Sequence, residues 1–312
     1  MPLLSPGQSP VKTLLAGLAP VVFVLLWATG FVGAKLGLPY VEPGTFLVLR
    51  FLIVIAVMAP LLLLLPDQRP RSWRQTGHVA VVGALMHGIY LGGVFVAIGR
   101  GMPAGLASLI VALQPLLTAA VVGPLLGERV GARQVVGLLL GLLGVALVLS
   151  GKLAPQGGPA GDGSPSQGFG LDALAFVLAA LVAITAATVY QKRYVQHAPL
   201  IGGAVVQYLA ATLVVGLPAL LFESGRVVWS GELVFALGWL ALVLSIGAVS
   251  LLMLLIRWGE ASKTASLFYL VPPVTAVMAY LLFGEALGPL ALAGMALTVL
   301  GVALVVVRPR GR

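Results

Sequence analysis

The chain has no cysteine and no asparagine, and only 9% of its 312 residues are charged. Without cysteine there are no disulfides, no thiolate chemistry and no Cys-ligated metal. Without asparagine there is no Asn-linked glycosylation. A soluble globular chain carries about 25% charged residues. With 60% hydrophobic residues and a mean hydropathy of +1.11, this chain cannot cover a water-facing surface, which excludes a soluble enzyme. No Gly-x4-Gly-Lys-Ser/Thr loop is present, so ATP-driven transport by this chain is unsupported. No His-Glu-x-x-His or Gly-x-Ser-x-Gly occurs either, and no nucleophile–base pair suggests an intramembrane hydrolase. No catalytic residue, cofactor or metal is therefore assigned.

What is present is apolar sequence in long runs. Ten segments stand out, roughly 16–38, 44–65, 76–99, 104–126, 131–150, 169–191, 199–222, 233–256, 262–284 and 287–307. Each is long enough to span a bilayer, which takes about 20 residues as a helix. Continuous apolar runs exclude the alternating pattern of barrel strands, leaving helices as the structure that satisfies its own backbone in lipid. The predicted fold is an all-α integral membrane protein of ten transmembrane helices. Lys12 and the run after it resemble a signal peptide, but the run is too long and no small-x-small cleavage site follows, so it is read as a retained first helix.

The net charge of +9 would suggest nucleic acid in a soluble protein. Here the positions of the charges explain it. With a cytoplasmic N-terminus, 13 of the 18 Lys and Arg fall in cytoplasmic loops and tails. Four lie outside (Lys35, Arg100, Lys152, Arg226), and Arg50 lies within segment 2. That is a positive-inside bias, which places both termini in the cytoplasm of a multi-pass cell-membrane protein. The expected partners are lipid and a small-molecule substrate, with no nucleic acid, and the chain is expected to be monomeric.

The two halves repeat at an offset of about 157 residues. Lys35 aligns with Lys192, Arg50-Phe51 with Gln207-Tyr208, and Gly127-Glu128 with Gly284-Glu285. Gly144-Val145-Ala146-Leu147-Val148 recurs as Gly301-Val302-Ala303-Leu304-Val305, and one gap brings Ala107-Ser108 onto Ala265-Ser266 and Pro115 onto Pro273. The halves are expected to be residues 1–151 and 169–312, joined by a Gly/Pro/Ser-rich flexible linker at 152–168. Five crossings per copy is odd, so the second copy is inverted. Inverted repeats are typical of alternating-access transporters with a substrate site near the midplane.

Leu26-Trp27-Ala28, Leu49-Arg50-Phe51, Pro115 with Gly127-Glu128-Arg129, Gly144-Val145-Ala146 and their counterparts in the second half resemble the drug/metabolite transporter superfamily, specifically its EamA-type members. The resemblance covers nearly the whole chain. It implies a ten-helix inverted-repeat carrier of the inner membrane, with helices 5 and 10 closely packed. Members move amino acids, other metabolites or drugs, often outward. An exporter of amino acids or related compounds is the expected function; a multidrug or other metabolite carrier of the same fold, or a channel-like facilitator, is the alternative.

Candidate site residues are those near the centres of the segments. Pro115, preceded by Gln114, and Pro272-Pro273 occupy matching positions in segments 4 and 9, where proline should kink or break the helix and form a hinge. His87 lies mid-membrane in segment 3, with Tyr90 one turn on. It suits either proton coupling or a neutral bond to a neighbour. Arg50 lies about 9 Å along segment 2. It can snorkel, bridge helices or hold a substrate carboxylate. Lys35 and Lys192, near helix ends, are read as snorkelling. Trp27, central in segment 1, can wall a cavity or pack in lipid. Ser108, Thr188, Tyr208, Ser245, Ser266 and Tyr269 complete the candidate substrate-binding set. Glu128 and Glu285 are expected to cap helices 5 and 10.

Overall fold

A computed structural model describes residues 10–70, 72–125, 132–150, 169–195, 198–258, 267–285 and 288–306. Among these residues the regular structure is helical, apart from one isolated antiparallel bridge between Val41 and Val227. The predicted linker at 152–168, Glu128 and Ser266 lie outside the described residues.

In the first half, α1 is Pro10–Gly37, α2 is Pro43–Met58 with one further turn at Leu61–Leu64, and α3 is Trp73–Gly99. α4 comes in two pieces, Ala104–Val111 and Gln114–Leu125, and α5 is Ala132–Ser150. In the second half, α6 is Leu171–Tyr194 and α7 is Leu200–Phe222. α8 runs continuously through Gly231–Gly238, Trp239–Ala248 and Val249–Trp258. α9 is Val271–Phe283, preceded by a 3-10 turn at Phe268–Leu270, and α10 is Pro289–Val306. Six of these, α1, α2, α3, α6, α7 and α8, are long and apolar enough to cross a membrane on their own; α4, α5, α9 and α10 are shorter apolar helices.

Local chemistry sets the boundaries. Pro43 opens α2, where a missing N–H costs nothing. Ser72 and Ser230 cap α3 and α8, accepting from Gln75 N and Leu233 N at 3.2 Å each. Gly284 ends α9 in the left-handed region at φ 67°, a conformation that costs a side-chain-bearing residue strain. Helix breaks adjoin the central prolines: α4 is interrupted at Ala112-Leu113, just before Gln114-Pro115, and the α9 segment starts as a 3-10 turn ahead of Pro272-Pro273 in its first α-helical turn.

Two helices contain wide π-helical stretches, Ala84–Ile89 in α3 and Trp239–Ala248 in α8. With the 157-residue offset these fall at matching positions of the two halves. Such stretches are frequent at functional sites.

α5 and α10 pack backbone to backbone. A Cβ on Gly144 would lie 2.4 Å from Gly294 O, and one on Gly301 would lie 2.5 Å from Gly137 O. Only glycine permits that approach, and the close pairing of these helices follows from it.

One end of the bundle is laced between the halves. Glu223, after α7, accepts from Gly44 N and Thr45 N at 2.7 Å and so caps α2. Glu42 accepts from Ser224 N at 2.7 Å. Lys35 is ion-paired with Glu285, which also accepts from Ala104 N at 3.1 Å. Two sequence expectations change here. Lys35 does not snorkel; it is tied to a carboxylate 250 residues away. Glu285 caps α4 of the other half and not α10, because the α4 N-terminus is the unsatisfied donor it faces. Arg100 and Asp172 form a further ion pair, more exposed, at this end.

Candidate functional site

Where the halves meet in mid-bundle, α2, α3, α7 and α8 bring together a polar and aromatic cluster. Arg50 is 4% exposed. Its Nη2 and Nε donate to Ser245 Oγ on α8 at 2.9 and 3.3 Å. Ser245 in turn donates to Leu240 O, five residues back, at 2.9 Å, an acceptor that the π-helical register of α8 presents. Arg50 therefore neither snorkels nor forms an ion pair: its bridge to α8 goes through a neutral hydroxyl. Among the described residues, ion pairs join Lys35 to Glu285 and Arg100 to Asp172, and none reaches Arg50.

The repeat partner of Arg50 is Gln207, on α7. Its Oε1 accepts from His87 Nε2 on α3 at 3.2 Å. The His87 ring stacks on Tyr208, with centroids 4.6 Å apart and planes 22° apart. Phe51 packs against Tyr208 at 5.5 Å. Tyr90 and Tyr208 neighbour the Arg50 guanidinium. The layout is quasi-symmetric. The residue on α2 reaches α8 and its counterpart on α7 reaches α3, so each half's second helix bonds the other half's third.

Of the sequence-selected candidates, Arg50, His87, Tyr90, Tyr208 and Ser245 converge here. The others sit elsewhere. Gln114 donates to Thr188 Oγ1 at 3.1 Å and to Thr118 Oγ1 at 3.2 Å, bridging α4 to α6. Trp27 joins Phe23 and Phe268 in an aromatic cluster between α1 and the start of the α9 segment, with centroids 5.0–5.3 Å apart. Ser108 is buried and donates to Gly105 O of its own helix at 2.8 Å. Tyr269 is buried with its hydroxyl unpartnered, as is Thr275. Pro272 is buried, while Pro115 and Pro273 are half-buried. Gln207 and Phe51 were not selected from the sequence. The 157-residue offset that aligns Arg50-Phe51 with Gln207-Tyr208 was the signal available for both.

An apolar helical bundle with a polar cluster where its two halves meet is the architecture of a membrane transport protein. Residues 14–150 and 172–307 each match the EamA-like transporter family, and the chain belongs to that family. It is a multi-pass membrane transporter, not an enzyme. A probable terminal-alkyne amino-acid exporter of Streptantibioticus cattleyicolor is 32% identical over 307 residues, covering 94% of each chain. A probable amino-acid metabolite efflux pump of Salmonella typhimurium is 27% identical over 302 residues, covering 91% of this chain and 92% of its own. A protein of that same description from Escherichia coli is 27% identical over 303 residues, covering 91% and 92%. One solved crystal structure, at 24% identity, superposes with a TM-score of 0.62 over 93% of this chain and 95% of its own, which speaks to the fold alone.

Proposed function

We propose that the protein exports amino acids or closely related carboxylates by alternating access, with the Arg50 cluster as its substrate site. In this reading all ten apolar segments cross the membrane. Both termini are cytoplasmic and the laced end carrying Lys35 and Glu285 is outside. Residues 1–151 and 169–312 rock against each other as a monomer, with Pro115, Pro272 and Pro273 at hinge positions and 152–168 as the connecting tether.

The observation that carries this reading is the Arg50 guanidinium, buried between the two halves with a hydroxyl partner in place of a carboxylate. A charge at membrane depth is costly and marks a substrate path. A guanidinium is shaped to take a carboxylate through two parallel hydrogen bonds. The names of the relatives point to the same cargo.

Counterflow of labelled amino acids in proteoliposomes tests the proposal. Saturable uptake, accelerated by unlabelled substrate trapped inside, supports a carrier. Flux that rises without saturation overturns alternating access in favour of a channel. No flux above empty liposomes across a panel of amino acids together with their N-acyl and 2-oxo counterparts overturns the cargo.

A further inference from the structure

The charge balance of the central cluster narrows the cargo further, and the narrowing rests on the substrate-site reading above. The chain has nine acidic residues, at 42, 67, 128, 162, 172, 223, 232, 260 and 285, and none is near the centre of an apolar segment. The six that are described lie at helix ends. Four of these are engaged there: Glu42 with Ser224, Asp172 with Arg100, Glu223 with the α2 N-terminus, and Glu285 with Lys35. The groups around Arg50 are neutral acceptors, several already occupied. Ser245 Oγ accepts from Arg50 and donates to Leu240 O. Gln207 Oε1 accepts from His87. The Tyr208 ring, a face that could otherwise meet an ammonium, is stacked against His87.

A zwitterionic amino acid brings two charges. Its carboxylate finds Arg50. Its ammonium, only two bonds from the carboxyl carbon, then enters a low-dielectric site beside a guanidinium with no carboxylate among the described residues to receive it. Like charges brought together away from water repel strongly, and a desolvated ammonium needs a partner. A monoanion leaves the loaded site neutral.

We propose that the Arg50 cluster selects carboxylates whose α-amino group is absent or blocked, such as 2-oxo acids and N-acyl amino acids, over free zwitterionic amino acids. Arg50 is the residue that determines this selectivity. Ser245, by holding the Nε–Nη2 edge, fixes its direction.

The test compares matched triplets on the phenylalanine and leucine skeletons: the free amino acid, its N-acetyl derivative and its carboxamide. They carry zero, minus one and plus one charge. Half-saturation is measured for each by competition in proteoliposome counterflow with purified full-length protein. The expected result is that the N-acetyl anion competes on the order of tenfold or more better than the zwitterion, with the amide weakest. Arg50→Lys should weaken the anion but keep the order of preference, and Arg50→Gln should collapse it. Because the wild-type ranking stands without any variant, misfolding of Arg50→Gln leaves the test intact. A zwitterion that competes as well as the anion overturns the selectivity while leaving amino-acid export standing. An unchanged ranking in a folded Arg50→Gln variant moves the selectivity to other residues and overturns the assignment. Failure of every member of both triplets overturns the substrate-site reading itself.

Discussion

α3 and α8 occupy the same place in the two halves, and both carry a π-helical stretch, yet they meet their neighbours in opposite ways. α3 brings glycine to its contacts. A Cβ at Gly83 would lie 2.3 Å from the backbone of Gln207 on α7, and one at Gly93 would lie 2.5 Å from Phe176 O on α6. α8 brings bulk: at the position matching Gly83 it has Leu240, whose side chain fills a groove left by Gly33 of α1, while Leu244 reaches Gly30. The backbones of α3 and α7 therefore touch. α8 meets α2 through the long Arg50 side chain reaching across to Ser245. The lesson is that an inverted repeat keeps its topology while breaking its symmetry through side-chain size. The break leaves a neutral Gln207–His87 bond on one side of the axis and a charged arm on the other.

The first way to break this comparison is to add the same methyl group to each interface. Gly83→Ala places its Cβ against backbone that cannot yield without moving α7, so overpacking should cost about 3 kcal/mol or more. Gly33→Ala meets Cδ2 of the buried Leu240 at 2.8 Å and its Cγ at 3.0 Å, so one side chain must shift but no backbone need move. Its cost should stay at about 1–2 kcal/mol. Thermal unfolding of the two detergent-purified variants reads the difference. Equal losses would mean that the two interfaces are equally tight.

The next pair separates the charged arm from the neutral one. Ser245→Ala removes the partner of a buried guanidinium, and hydrogen bonds to charged groups contribute about 1.5–3 kcal/mol. It should lower transport on the order of tenfold or more. Gln207→Ala removes a neutral bond to His87 worth about 1 kcal/mol and should have a several-fold effect. Initial counterflow rates at saturating and limiting substrate distinguish them. A Gln207→Ala loss exceeding that of Ser245→Ala would place the substrate contact on the α7 side.

Much of this arrangement is legible in the sequence, and the reasons are specific. Apolar runs show themselves because a lipid-spanning helix must be apolar along a bilayer's thickness. The repeat is visible because Arg50-Phe51 and Gln207-Tyr208, and the paired prolines, keep their order. The break in α4 follows from Pro115. Contacts across the halves leave no local pattern: Lys35 looks like a snorkelling lysine until Glu285 is beside it, and Gln114 and Thr188 look independent until α4 and α6 meet. The π-helical stretches carry no proline or other marker in the sequence, so their register emerges only with the backbone. Gln207 was within reach, because anything said of Arg50 has its counterpart 157 residues on.

The smallest expected effect concerns pH, and it sharpens the comparison on the α3 side. His87 Nε2 donates to Gln207 Oε1. An imidazole can carry that proton in both its neutral and its charged form, so the bond need not change with pH. If the α3–α7 contact is the static side of the axis, His87 serves as its peg and no proton moves with the cargo. Transport of an N-acetyl amino acid, fully ionised above pH 5, should then vary less than about twofold between pH 5 and 8. His87→Gln, which keeps a donor for Gln207, should retain most of the rate and the same flat profile. A wild-type rate that changes about tenfold over that range, with the change abolished in His87→Gln, would assign proton coupling to His87. It would also make the tightly packed side of the axis the working one.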